Sequence, residues 1–324
     1  METAFAHSVT QLTSLDADLL SVIASRHGEH LRHDVGPDVS PTDVRSLAKV
    51  VTVLTMGAAV HQGAAILGAR PVDLDLTIGR LWREVPGLPT VRDPDRWDRV
   101  RLRHLLSCTT GHDTGFLFRT DAAELIAERP ADLPRVIADR ELSHEPGTHF
   151  AYSNAGYYLL SVFITALSGR SLADWAADLL LGPLGMPAEQ WSWRSYGCHP
   201  AAATGLRLRP EHLHRLAELL LHGGRHDGRT LVDAGWITAV TSPQAAPGPP
   251  ASSPGDPLPR LAYGLGLWLS APAGRCFGEG ADGQYLVVDP PSGTAITLTC
   301  ARADPAVQRS LRAALSPLLA AERS

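Results

Sequence analysis

The chain has 324 residues and a formal net charge of −5, from 29 basic and 34 acidic residues. A chain of that length buries roughly three quarters of its extended surface on folding, so a large core needs no disulfide or metal staple. A composition of 44% hydrophobic and 19% charged residues excludes a disordered, fibrous or collagen-like protein, and the acidic balance, with no run of basic residues, excludes a dedicated nucleic-acid binder.

The first thirty residues lack a basic start followed by an unbroken apolar stretch, so no export signal is expected. No window of about 18 apolar residues predicts a membrane span. Cys108, Cys198, Cys276 and Cys300 are too scattered for a disulfide framework; a cytoplasmic, reducing setting is the expectation. The apolar residues 20–25, the His27-Gly28 turn signal and residues 30–34 read as a β-hairpin. Residues 44–62 are apolar nearly all round and read as a buried helix, capped by Thr42 or Asp43 and ending at Gly63. From about Asp75 to Val240 the signals are mostly helical, over 101–107, 122–129, 154–168, 172–181 and 211–222. Residues 242–259 hold seven prolines and must form a loop, of a length that suits a lid. Short β-rich runs follow at 263–270, 275–279, 284–289 and 294–300, then helical spacing over 305–321.

The hairpin and the C-terminal strands are each too small to stand alone, which predicts one sheet assembled from both ends of the chain. The expected fold is therefore α/β (α+β): an antiparallel β-sheet flanked by helices, with an inserted all-helical domain. Its boundaries are a discontinuous sheet domain over 1–74 and 232–324 and a helical domain over 75–231, with the active site in the cleft between them.

One compositional oddity points to chemistry. Of the 29 basic residues 28 are Arg and one is Lys49, and the chain holds a single asparagine, Asn154. Strong GC bias replaces Lys by Arg wherever Arg will serve, so a surviving lysine is a candidate for a position needing an amine that can lose its proton, with chance survival on the surface as the bland alternative. Ser46 precedes Lys49 by one helical turn, within hydroxyl-to-amine reach. A serine hydroxyl becomes a useful nucleophile only when a base takes its proton, and a desolvated lysine is such a base. Tyr152 stands two residues before Asn154, just ahead of the 154–168 helix; the bland alternative is a cap by Asn154 with Tyr152 packed in the core.

With these Ser-x-x-Lys and Tyr-x-Asn motifs, the stretches LRHLLSCTTGHD, EPGTHFAYSNAGYYLLS, GLRLRPEHLHRLAELLLHGG and FGEGADGQYLVV make nearly the whole chain resemble the class C β-lactamase-like serine hydrolases. That family spans penicillin-binding peptidases, esterases, amidases and biosynthetic transacylases. The resemblance implies a β-lactamase/transpeptidase-like fold, Ser46 as the acylated nucleophile, Lys49 beside it, and Tyr152 as a proton shuttle if the nearby amine lowers its pKa from about 10. Asn154 would hold Lys49 and the substrate's acyl side chain. The family's third motif aligns with Gly278-Glu279-Gly280, and the backbone N–H groups of Ser46 and Ala281 would form the oxyanion hole. Here the chain departs from the pattern: Gly278 has no side chain and Glu279 adds negative charge, so a β-lactam or D-Ala-D-Ala terminus should bind poorly. A simple turn or bulge at Gly278 and Gly280 is the competing reading.

Trp191 and Trp193 read either as a cleft-lining loop or as core packing. The expected substrate is a small ester or amide, with an amine as a further candidate acyl acceptor, and no cofactor, metal, nucleic acid or membrane is implied. No G-x-S-x-G elbow supports a Ser-His-Asp hydrolase. The groupings His222 with His226, and His27, His30 and His33, read as solvated histidines in the absence of an H-E-x-x-H motif. A catalytically weak binding protein on the same fold is the alternative of another class.

Overall fold

The computed structural model describes residues 1–36, 40–64, 72–248, 255–270 and 274–320. Seven strands form one antiparallel sheet: β1 (Ala17–Arg26), β2 (Glu29–Asp34), β3 (Ala262–Tyr263), β4 (Trp268–Leu269), β5 (Cys276–Gly280), β6 (Gln284–Asp289) and β7 (Thr294–Ala303). Their spatial order is β3-β4-β5-β6-β7-β1-β2. The two ends of the chain therefore meet inside the sheet, with β1 sandwiched between β7 and β2. His27 and Gly28 both adopt positive φ, which matches the twist of the tight turn joining β1 to β2.

Both faces are covered at the centre of this sheet, so β1, β6 and β7 are largely apolar and buried, whereas the edge strand β2 is polar and partly exposed. Along β6 the side chains alternate between two cores: Leu286 and Val288 join one, Tyr285 and Val287 the other. The second core is closed by α1 (Glu2–Thr13) through Phe5 and Leu12, and by the C-terminal helical segment through Leu311 and Leu315. On the opposite face lie α2 (Ala48–His61), α3 (Ala155–Ser168) and α4 (Pro210–Leu221). The C-terminal region carries α5 (Gln308–Ala314).

Several expectations are corrected. The helix expected from Val44 begins at Ala48; Thr42–Asp43 is a short strand, and Arg45–Leu47 forms a 3-10 turn. Thr42 and Asp43 pair with Leu208 and Arg207 as a strand, which puts them too far ahead of Ala48 to cap the helix; the Asp43 carboxylate instead accepts the Arg45 N–H in the intervening turn. The inserted region is not all-helical: Ser192–Trp193 and Leu206–Leu208 extend the Thr42–Asp43 strand into a three-stranded sheet, and two small strand pairs accompany it. Strands of two residues carry no readable alternation. The run at 263–270 is split into β3 and β4 around a turn, and α1 precedes every element expected. Residues 249–254 of the proline-rich loop and Ala321 of the terminal helix lie outside the described residues. Among the described residues no helix is long and apolar enough to cross a membrane.

Candidate active site

Ser46 sits in the 3-10 turn ahead of α2. Arg45, the residue before it, has φ +54°, a conformation that an L side chain holds only when its surroundings enforce it. Two carboxylates do so. Asp43 accepts the Arg45 backbone N–H at 2.9 Å and its guanidinium at 3.1 Å, and Asp282 accepts Arg45 Nε at 2.8 Å. Because Asp282 follows β5, this ion pair ties the serine turn to the turn that carries Ala281.

β5 itself closes on the serine turn. The triplet is neither turn nor bulge: Gly278, Glu279 and Gly280 pair in regular register with Leu286, Tyr285 and Gln284 of β6. A Cβ at Gly278 would lie 2.4 Å from Leu47 Cδ2, and one at Gly280 would lie 2.7 Å from the Val44 carbonyl oxygen. Glycine is what lets the strand approach this closely. Glu279 points to the other side, where its carboxylate accepts from Arg260, from Arg312 of α5 at 3.1 Å and from the Tyr285 hydroxyl at 3.0 Å. The negative charge expected at this position is thus matched by two guanidinium groups.

Lys49, in the first turn of α2, is completely buried. Its Nζ lies 2.7 Å from Asn154 Oδ1, 3.4 Å from the Ala203 carbonyl oxygen and 3.5 Å from Ser46 Oγ. The first two partners only accept, and the third can donate. An ammonium, with three hydrogens, donates to all three oxygens, whereas a neutral amine, with two hydrogens and one lone pair, donates to the first two and can accept from the Ser46 hydroxyl. Burial favours that form: it pulls the Lys49 pKa down to about 8, against a smaller upward pull from Cys108.

Tyr152 lies just before α3, with Ser46 as a hydrogen-bond partner of its phenol. Its ring stacks on Trp268 at 5.9 Å and on Phe118 at 6.3 Å, and Lys49 Nζ sits 4.6 Å from its centroid. The expectation that the amine lowers the phenol's pKa is overturned. Burial pushes it up, more than the hydrogen bond from Ser46 pulls it down, and the amine faces the ring rather than the oxygen.

Asn154 occupies the position preceding α3, yet its side chain caps nothing. Oδ1 holds Lys49, and Nδ2 donates to the Leu117 carbonyl at 2.9 Å. A cavity of about 420 Å³ opens over this cluster, walled by Ser46, Tyr152, Trp268, Arg260, Glu279 and the backbone of Gly280 and Ala281. Asn154, Gly278, Trp191 and Trp193 do not line it. Trp191 Nε1 donates to the Met186 carbonyl and Trp193 Nε1 to that of Thr204, and both rings pack on the main core. Sequence reasoning missed Arg45, Asp282, Arg260 and Trp268. The Arg45–Asp282 pair spans 237 positions, and separations of that order leave no local pattern to read.

A family model described as Beta-lactamase matches residues 32–321. Penicillin-binding protein 4* of Bacillus subtilis (strain 168) is 31% identical over 148 residues, 44% of this chain and 29% of that protein, so the match spans under a third of the relative's length. Among solved structures, a penicillin-binding protein homologue from Caulobacter crescentus superposes with a TM-score of 0.68 at 18% identity, covering 97% of both chains. EstCE1, described as a hydrolase with promiscuous acyltransferase activity, superposes with a TM-score of 0.71 at 16% identity, covering 98% of this chain and 99% of that one. At these identities the two structures speak for the fold.

Proposed function

The chain belongs to the beta-lactamase family of serine hydrolases, and from that premise we propose that it cleaves a small ester or amide through an acyl-enzyme on Ser46. The observation that carries this reading is the completely buried Lys49, whose hydrogen-bond partners among the described residues are two oxygens that can only accept and the Ser46 hydroxyl, which can also donate. In acylation, Ser46 Oγ attacks the substrate carbonyl carbon while its proton passes to the Lys49 lone pair, with the Tyr152 hydroxyl, hydrogen-bonded to Ser46, orienting Oγ. Charge building on the carbonyl oxygen faces the N–H groups of Ser46 and Ala281. Collapse of the intermediate breaks the C–O or C–N bond, and the proton held by Lys49 goes to the leaving group. Water or an amine then attacks the acyl-enzyme, and the same amine takes and returns the proton.

Acyl transfer to an amine is favoured as a second outcome by the stacked rings of Tyr152 and Trp268 in the cavity wall beside Ser46, which offer incoming water few partners. Since β5 presents no cationic side chain to the cavity and Arg260 in its wall is paired with Glu279, a neutral acyl donor suits it better than a carboxylate-bearing one. The test is Ser46→Ala with a p-nitrophenyl acyl ester: turnover should fall by on the order of a thousandfold or more, and a fluorophosphonate should add its mass to the wild type alone. Equal turnover by the variant, or no adduct on the wild type, would leave only a binding protein on this fold. Product analysis with amines present separates transfer from hydrolysis.

A further inference from the structure

A second set of polar side chains gathers at the opposite end of the sheet from β3, β4 and β5. His30 of β2 pairs directly with Ser25 of β1, so both side chains stand on one sheet face. Thr297 of β7 pairs with Ile23, two residues before Ser25 on β1, and shares that face. Helix α4 crosses it, and His214 and Glu218, four residues apart, project from the same side of the helix.

We propose that His30, His214 and Glu218 bind a divalent transition cation of the zinc type, clipping the β1–β2 hairpin to α4. Glu218 Oε1 lies 3.5 Å from His30 Nε2 and 3.9 Å from His214 Nε2, and the three ligand atoms all fall within 4.8 Å of one another. Four-coordinate zinc with bonds of about 2.0–2.1 Å needs ligand atoms roughly 3.4 Å apart, a spacing that small rotations of the Glu218 carboxylate toward His214 and of the exposed His30 side chain can reach. Two imidazoles and one carboxylate are a donor set zinc accepts readily. The outer contacts fit as well. His214 Nδ1 lies 3.1 Å from Thr297 Oγ1 and its Nε2 3.0 Å from Ser25 Oγ; with Nδ1–H donating to Thr297, the Nε2 lone pair accepts from the Ser25 hydroxyl in the metal-free protein, and that hydroxyl turns away when the cation takes the lone pair.

A cavity of about 260 Å³ opens beside these groups, with Ser25, His27, Glu218 and His222 in its walls, leaving room for a water as fourth ligand. The one permanent cation lining it, Arg26, is committed elsewhere: Nε donates to Thr294 Oγ1 at 2.7 Å and Nη2 to the Leu318 carbonyl at 2.6 Å.

The test is calorimetric titration of zinc into metal-free, untagged full-length protein, alongside His30→Ala and Glu218→Gln, with far-UV circular dichroism to verify folding. Wild type should bind one equivalent and unfold at least about 2 °C higher with zinc. Each variant should bind at least tenfold more weakly while turning over a p-nitrophenyl ester normally. No saturable binding, or undiminished affinity in either variant, overturns the proposal. Undiminished binding would place the cation at the other such group among the described residues, Asp113, His144 and His149.

Discussion

Lys49 shows how a single burial sets reactivity. A solvated lysine is almost wholly protonated at neutral pH, whereas a pKa of about 8 leaves roughly a tenth of the molecules with a free lone pair at pH 7. The active form is the deprotonated one, so kcat/KM for an acyl ester should climb between pH 6 and 8 and level off above, as a pH–rate profile would show. Lys49→Arg, which keeps the charge but cannot lose it, should cost about 100- to 10,000-fold at every pH and abolish the ascending limb. A flat wild-type profile would contradict this role. Ser46, Lys49, Tyr152 and Asn154 were legible from residue scarcity and spacing. The direction of the Tyr152 shift was not, because it depends on how deeply distant segments bury the phenol.

At the scale of elements, the decisive contact is between the Arg45–Leu47 turn and β5. Gly280 is wedged against the backbone oxygen of Val44, which cannot rotate away as a side-chain tip can. Gly280→Ala should therefore force the strand and the turn apart, costing about 1–3 kcal/mol in a denaturant titration and about 100-fold in ester turnover through misplacement of Ser46. Wild-type turnover in that variant would show that the close approach is dispensable. The sequence marked these glycines only as a departure from a motif. Their steric reason appears once β5 is packed on a segment more than 230 positions earlier. The late start of α2 was hidden for a similar reason: Thr42 and Asp43 are good caps in isolation, but a distant strand, Leu206–Leu208, claims their backbone.

At the scale of the whole molecule, closure of the sheet depends on its two ends. β1 covers the edge of β7, and Leu19, Val22 and Ala24 join Phe277, Ile296 and Leu298 in one core. Removing residues 1–36 should leave an exposed strand edge and an open apolar face, seen as loss of soluble protein after centrifugation; a soluble, helical product would refute this. The joining of both ends was legible because neither strand group could stand alone. α1 was not, since only Phe5, Ser8 and Leu12 of its twelve residues are buried and polar side chains dilute the period. The fate of the sole lysine reaches the exterior too. With Lys49 sealed inside, every other basic side chain is a guanidinium or an imidazole, and the folded surface carries no ε-amine. Acyl compounds of the class proposed for Ser46 would thus meet no second lysine in this sequence to modify, and amine-directed labelling would find no exposed ε-amine.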